Sequence, residues 1–185
     1  TEVAMGNNHT LFLKADGSVW SMGKNISGQL GDGNQTNRFQ PIKIIEANAT
    51  GIACGNDYSF VLMNNGSLLG FGVNGNYRIG LNSNEPHLLS PREILPGGVE
   101  QVAGTANHSL FLMTDGSLWA AGSNDMGKLG TGNFTGSELL TKIVNSGVAG
   151  MAVGDKHSLY WTTEGEVYVF GSDEKGQLGL GRIRS

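Results

Sequence analysis

The sequence has one cysteine, four prolines and only 15% charged residues. The single Cys54 excludes an internal disulfide and a cysteine-built zinc cluster. Flanked as "GIACGN", it reads as a small apolar core residue rather than a reactive thiol. No apolar run approaches the roughly 18 residues of a membrane span, and the N-terminal stretch lacks the basic-then-apolar pattern of a signal peptide. Lys and Arg are scattered singly, the last pair being Arg182 and Arg184, within a net charge of −4. Direct nucleic-acid binding therefore lacks its electrostatic footprint. Neither a Gly-x-Ser-x-Gly elbow nor a His-Glu-x-x-His motif occurs, so no enzyme activity and no cofactor is expected.

What the chain has is glycine, thirty in 185 residues, about twice the usual share. The glycines are periodic. "MGNNHTLFLKADGSVWSMGKNISGQLGDG", "CGNDYSFVLMNNGSLLGFGVNGNYRIGLN", "AGTANHSLFLMTDGSLWAAGSNDMGKLGTG" and "VGDKHSLYWTTEGEVYVFGSDEKGQLGLG" align in phase. Gly17, Gly66, Gly116 and Gly165 recur at spacings of 49, 50 and 49. The extra residue of the third repeat is read in Gly104-Thr105-Ala106-Asn107-His108.

Each unit holds about four short apolar or β-branched runs. Asp16-Gly17, Asn65-Gly66 and Asp115-Gly116 predict two-residue hairpins, with a fourth strand from Pro41 or Pro91. Runs such as "SLFLM" and "VYVFG" are apolar on both alternating faces, as in sheets stacked face to face. The fold class is therefore all-β, a propeller arc of about 3.75 four-stranded blades. It forms one partial domain over 1–185, with repeats near 3–50, 51–98, 99–147 and 148–185, the last incomplete. "GKNISGQLGDGN", although glycine-rich, lacks the Gly-Lys-Ser/Thr and the following helix of a phosphate loop and reads as a recurring turn.

Gly-x-x-His-Ser/Thr, Asp-Gly, Trp-x-x-Gly and Gly-Gln-Leu-Gly recur in phase, and together they resemble the regulator of chromosome condensation repeat. The Gly-His and Trp-Asp signatures of WD40 blades are absent. The resemblance implies a propeller, commonly seven-bladed. Three and three-quarter blades leave such a ring open, so the missing blades, from the same parent chain or another copy, count among the expected partners. The resemblance also implies three activities: guanine-nucleotide exchange on a small GTPase, inhibitor-like or adhesin-like binding by a secreted protein, and light sensing through clustered tryptophans. The last fits poorly with Trp20 and Trp119, which sit in repeat-core phase. The compartment stays open between an exported bacterial protein and a cytoplasmic or nuclear one.

His9, His108 and His157 are equivalent. They are read as structural rather than metal-binding, since no carboxylate or cysteine recurs beside all three. Asp16 and Asp115 are read as turn residues rather than paired acids, because Asn65 replaces them. Seven glycosylation sequons, at Asn8, Asn25, Asn34, Asn48, Asn65, Asn107 and Asn133, follow mostly from repetition. The expected function is a non-enzymatic protein-binding module using one loop face. Asn76, Tyr77 and Arg78, where the second repeat breaks pattern, are its candidate contacts, with Phe39, His87 and Phe134 in the inter-blade connections. The rival is a small-ligand or lectin-like site in the central channel, with Asn7, Asn56, Asn107 and Asp155 as the in-phase lining.

Overall fold

The computed structural model describes residues 1–181. It consists of four antiparallel sheets, each with strands in sequence order. Blade 1 holds β1 (Glu2–Met5), β2 (His9–Leu13), β3 (Val19–Gly23) and β4 (Arg38–Ile45). Blade 2 holds β5 (Ala49–Cys54), β6 (Tyr58–Met63), β7 (Leu68–Val73) and β8 (His87–Leu95). Blade 3 holds β9 (Val99–Gly104), β10 (His108–Met113), β11 (Leu118–Gly122) and β12 (Ser137–Val144). Blade 4 holds β13 (Val148–Val153), β14 (His157–Thr162) and β15 (Val167–Gly171). The first strands β1, β5, β9 and β13 are successive neighbours, which makes them the inner wall of the arc.

Burial follows the stacking. In β6, Tyr58, Ser59, Phe60 and Val61 are all buried, because blade 2 has a neighbour on each face. In β2, His9, Leu11 and Leu13 are buried while Thr10 and Phe12 are half-buried, because the first blade has a neighbour on one face only. The joint between blades 2 and 3 is built on Phe60 and Phe111, edge to face at 5.7 Å. An aromatic pair of this geometry adds about 1 kcal/mol to its buried area.

Three expectations from the sequence need correction. The hairpins have three-residue loops: Lys14 N–H donates to the Ser18 carbonyl and Gly17 N–H to the Lys14 carbonyl, with Gly17 at φ +77°. This is a turn closed by a glycine bulge. Asp16 Oδ1 accepts from both the N–H and the hydroxyl of Ser18, which holds its carboxyl below the usual range. Asp16→Ala is expected to lower stability, read as a fall in the urea midpoint.

Second, the fourth strands begin earlier than the prolines, so Phe39 and His87 lie in β4 and β8 rather than in connections. Pro41 and Pro91 are tolerated because this is an edge strand.

Third, the extra residue is not in 104–108. Gly23 pairs with Arg38 and Gly122 with Ser137, each 15 positions on, whereas Gly72 pairs with Leu88, 16 positions on. The insertion therefore lies in the loop after β7. Thr105 takes the glycine's place, donating its N–H to the His108 carbonyl as Gly6 does to that of His9.

Candidate partner-binding face

Strand direction alternates within each blade, so the loops after the first and third strands emerge on one face of the arc, and the hairpins and inter-blade turns on the other. The first face carries most of the chain's departures from its own repeat.

Its inner rim is laid down by a relay between blades. His9 Nε2 lies 2.9 Å from Ser59 Oγ, and that hydroxyl donates to the Gln29 carbonyl. His108 Nε2 lies 2.8 Å from Ser158 Oγ, which donates to the Lys128 carbonyl. A serine hydroxyl has one proton, so each histidine must be the donor through Nε2. Burial lowers both imidazole pKa values to about 4, which keeps the rings neutral. In blade 2 the place of histidine is taken by Tyr58, whose hydroxyl reaches Ser109 Oγ at 2.8 Å and the His108 carbonyl at 3.0 Å. His157 stands at the same position in blade 4, with no further blade beside it among the described residues. These rings are joints between blades. Cys54 is likewise unsuited to reaction, its thiol pushed up to about 12 by burial.

On the axis, Asn7, Asn56 and Asp155 line one cavity of about 300 Å³ together with Thr105 and Ala106. Asn107 is a correction. The ladder puts Ala106 in phase with Asn7, so the polar ring is interrupted in blade 3.

The loops after the third strands share one scaffold. Asn25 Oδ1 accepts from Leu30 N–H, Asn124 Oδ1 from Leu129 N–H, and Asp173 Oδ1 from Leu178 N–H. Asn25 is thereby buried with both ends of its amide engaged, which removes it from the accessible sequons. Gly28, Gly127 and Gly176 follow three residues after these anchors at φ near +75°. In blade 2 that position is Tyr77, at φ +57°, preceded by Asn76 at φ +59°. A side chain in this region costs about 1 kcal/mol.

The structure brings Asn76, Tyr77 and Phe134 together in one cleft of about 400 Å³ between blades 2 and 3, with Asp125 and Glu138 opposite. Phe134 is 77% exposed. Arg78 is not in the cleft. Its guanidinium donates to the Gly75 and Ala106 carbonyls, tying the loop to the inner rim. His87 begins β8 outside the cleft. Phe39, 95% exposed, is in phase with Leu89, which packs on the preceding blade. Its exposure therefore belongs to the open face of blade 1. Asp125 and Glu138 carried no signal in the repeat phase, because the second and third blades differ there in length.

Two profiles of the "Regulator of chromosome condensation (RCC1) repeat" match, one over residues 16–62 and the other over 1–29, 99–128 and 148–177. The chain belongs to the RCC1 repeat family. Within this family it is 31% identical over 128 residues to the RCC2 homolog of Xenopus laevis, covering 66% of this chain and 25% of that protein. The mouse probable E3 ubiquitin-protein ligase HERC4 is 30% identical over 71% of this chain, but the match spans only 13% of the ligase. Yeast RCC1 (Prp20), solved bound to Kap60, superposes with a TM-score of 0.85 at 27% identity, covering 98% of this chain and 46% of that one. Human WBSCR16 superposes at 0.86 and 25% identity, covering all of this chain and 50% of that one. The chain thus spans about a quarter of the curated RCC2 relatives and about half of the solved RCC1-type propellers.

Proposed function

We propose that this chain is a non-enzymatic protein-binding module that recognises its partner with the face carrying the loops after the third strands. The observation that carries the reading is Tyr77. It occupies a backbone conformation that three other blades give to glycine, and it lines a cleft together with Phe134. Strain held at a half-buried side chain that lines a cleft is a mark of use rather than of folding. Aromatic residues at the rim of a concave site are favoured anchors for a protein partner.

Tyr77→Gly is accordingly expected to leave the melting temperature unchanged or raise it, as scanning calorimetry would read. Affinity capture on the immobilised chain tests the binding. A partner lost with Phe134→Ala or Tyr77→Gly, and kept with Glu164→Ala on the opposite face, supports the reading. The reverse pattern removes it.

A second reading is favoured by the match to Prp20, whose binding to Gsp1p and histones has been described. Here the same face would act on a small GTPase. Release of labelled nucleotide from such a GTPase, faster with this chain than without it, is the expected result. We also propose that the end faces pack against further blades of a longer chain or of another copy. Val3 and Met5 are 60% and 76% exposed on blade 1, and Val167 is 64% exposed on blade 4.

A further inference from the structure

The cleft exists because two positions change character across one joint. Between blades 1 and 2, Leu89 closes over Gly28, where an added Cβ would meet Leu89 Cδ2 at 2.8 Å. The strand ladders place Tyr77 in phase with Gly28, and Glu138 in phase with Leu89. Leucine over glycine becomes glutamate facing tyrosine, and the contact that seals the first joint is replaced by an open space. Phe134 then adds a second ring at the edge, exposed on its own account since blades flank this joint on both sides.

The charges in the space are unequal. Asp125 already receives the buried Lys128 ammonium at 2.5 Å and the Ser123 hydroxyl. Glu138 has no hydrogen-bond or ion-pair partner among the described residues, and no lysine or arginine lines the cleft. Asn76, Asn124, Ser123 and Ser137 are further polar residues of the lining. A flat cation suits such a site. It can stack on an aromatic ring and present paired N–H donors to a carboxylate at its edge.

We propose that this cleft takes the guanidinium of an arginine side chain presented by the partner protein. The proposal rests on the loop-face reading and specifies what that face reads. Glu138 supplies the charge and Phe134 and Tyr77 the stacking surfaces, while Asp125 is already paired with Lys128. An ammonium has the charge but not the plane, so lysine should bind more weakly.

The test is an NMR titration of the isotope-labelled chain with acetyl-Gly-Arg-Gly-amide and with the same tripeptide carrying citrulline or lysine in place of arginine. The arginine peptide is expected to move the amide signals of Tyr77, Asn124 and Phe134 with a dissociation constant in the millimolar range, about −4 kcal/mol. Citrulline, equal in shape but neutral, should bind about tenfold more weakly, and lysine should fall between. Glu138→Gln and Phe134→Ala, both at exposed positions, should each weaken the arginine peptide about fivefold or more with the spectrum otherwise unchanged. Equal binding of citrulline, shifts confined to other regions, indifference to Glu138→Gln, or no shift with any peptide would each overturn the proposal. A captured partner that depends on Phe134 but ignores Glu138→Gln would overturn this inference alone and leave the loop-face reading standing.

Discussion

Between about pH 6.5 and pH 4 the folded chain is expected to lose several kcal/mol of stability through two histidines. His9 and His108 are buried and neutral, their pKa values lowered from 6.5 to about 4 by burial. In the unfolded chain both regain a value near 6.5. Above that pH neither state is protonated, and the pair adds no pH dependence. Below it the unfolded chain binds protons that the folded chain refuses, so stability falls with pH until the folded rings protonate near 4. The displacement is equivalent to about 3 kcal/mol for each ring.

The loss also has a structural route. Each neutral ring donates through Nε2 to the serine of the next blade, and protonation puts a charge in the joint while leaving that hydrogen bond in place. His9 Nδ1 has no partner, whereas His108 Nδ1 is met by the Thr105 hydroxyl at 3.0 Å. A second proton on His9 therefore charges a ring that burial holds neutral, and on His108 it displaces the proton of Thr105. Urea unfolding at pH 7 and pH 5 measures the effect. The double variant His9→Gln/His108→Gln keeps a donor near each serine but cannot titrate. It should lose most of the difference between the two pH values. An equal difference in the variant would assign the acid sensitivity to other groups.

Repetition made the architecture legible. Four copies of one pattern gave the blade count, the strand order and the equivalence of His9, Tyr58, His108 and His157, because a stacked blade imposes the same burial on each copy. The place of the extra residue was not legible. The glycine of Gly104 matches Gly55 by letter, while the ladder gives that position to Thr105, and only hydrogen-bond pairing distinguishes them. The error carried Asn107 into the axial ring. Tyr77 could be singled out against its three in-phase glycines, yet Arg78 beside it could not be recognised as a strut, because both of its acceptors are backbone carbonyls. The cleft itself depends on Glu138 standing where Leu89 stands one blade earlier, a correspondence that is missed when the extra residue is read at 104–108 instead of in the loop after β7.

The same lesson gives the second large effect, at the joint between blades 2 and 3. Tyr58 is larger than the histidine it replaces, and Gly104 makes the room. A Cβ on Gly104 would lie 2.6 Å from the Tyr58 hydroxyl oxygen and 3.0 Å from two ring carbons. The ladders put Cys54 and Val153 at this position in blades 2 and 4, facing the histidines of blades 1 and 3. Gly104→Val alone should therefore cost about 3 kcal/mol or more. It overpacks a closed joint and drives the tyrosine from Ser109 Oγ and the Thr105 N–H. Tyr58→His alone should cost about 2 kcal/mol, by leaving a void where the phenol ring stood. Together the two changes rebuild the His-and-valine joint already present between blades 3 and 4. The double variant should be more stable than the sum predicts by about 3 kcal/mol, and therefore more stable than Gly104→Val itself. Urea unfolding of the four proteins of this cycle decides it. Additive losses would mean that the two residues do not share the space, and that the glycine serves the strand end rather than the tyrosine.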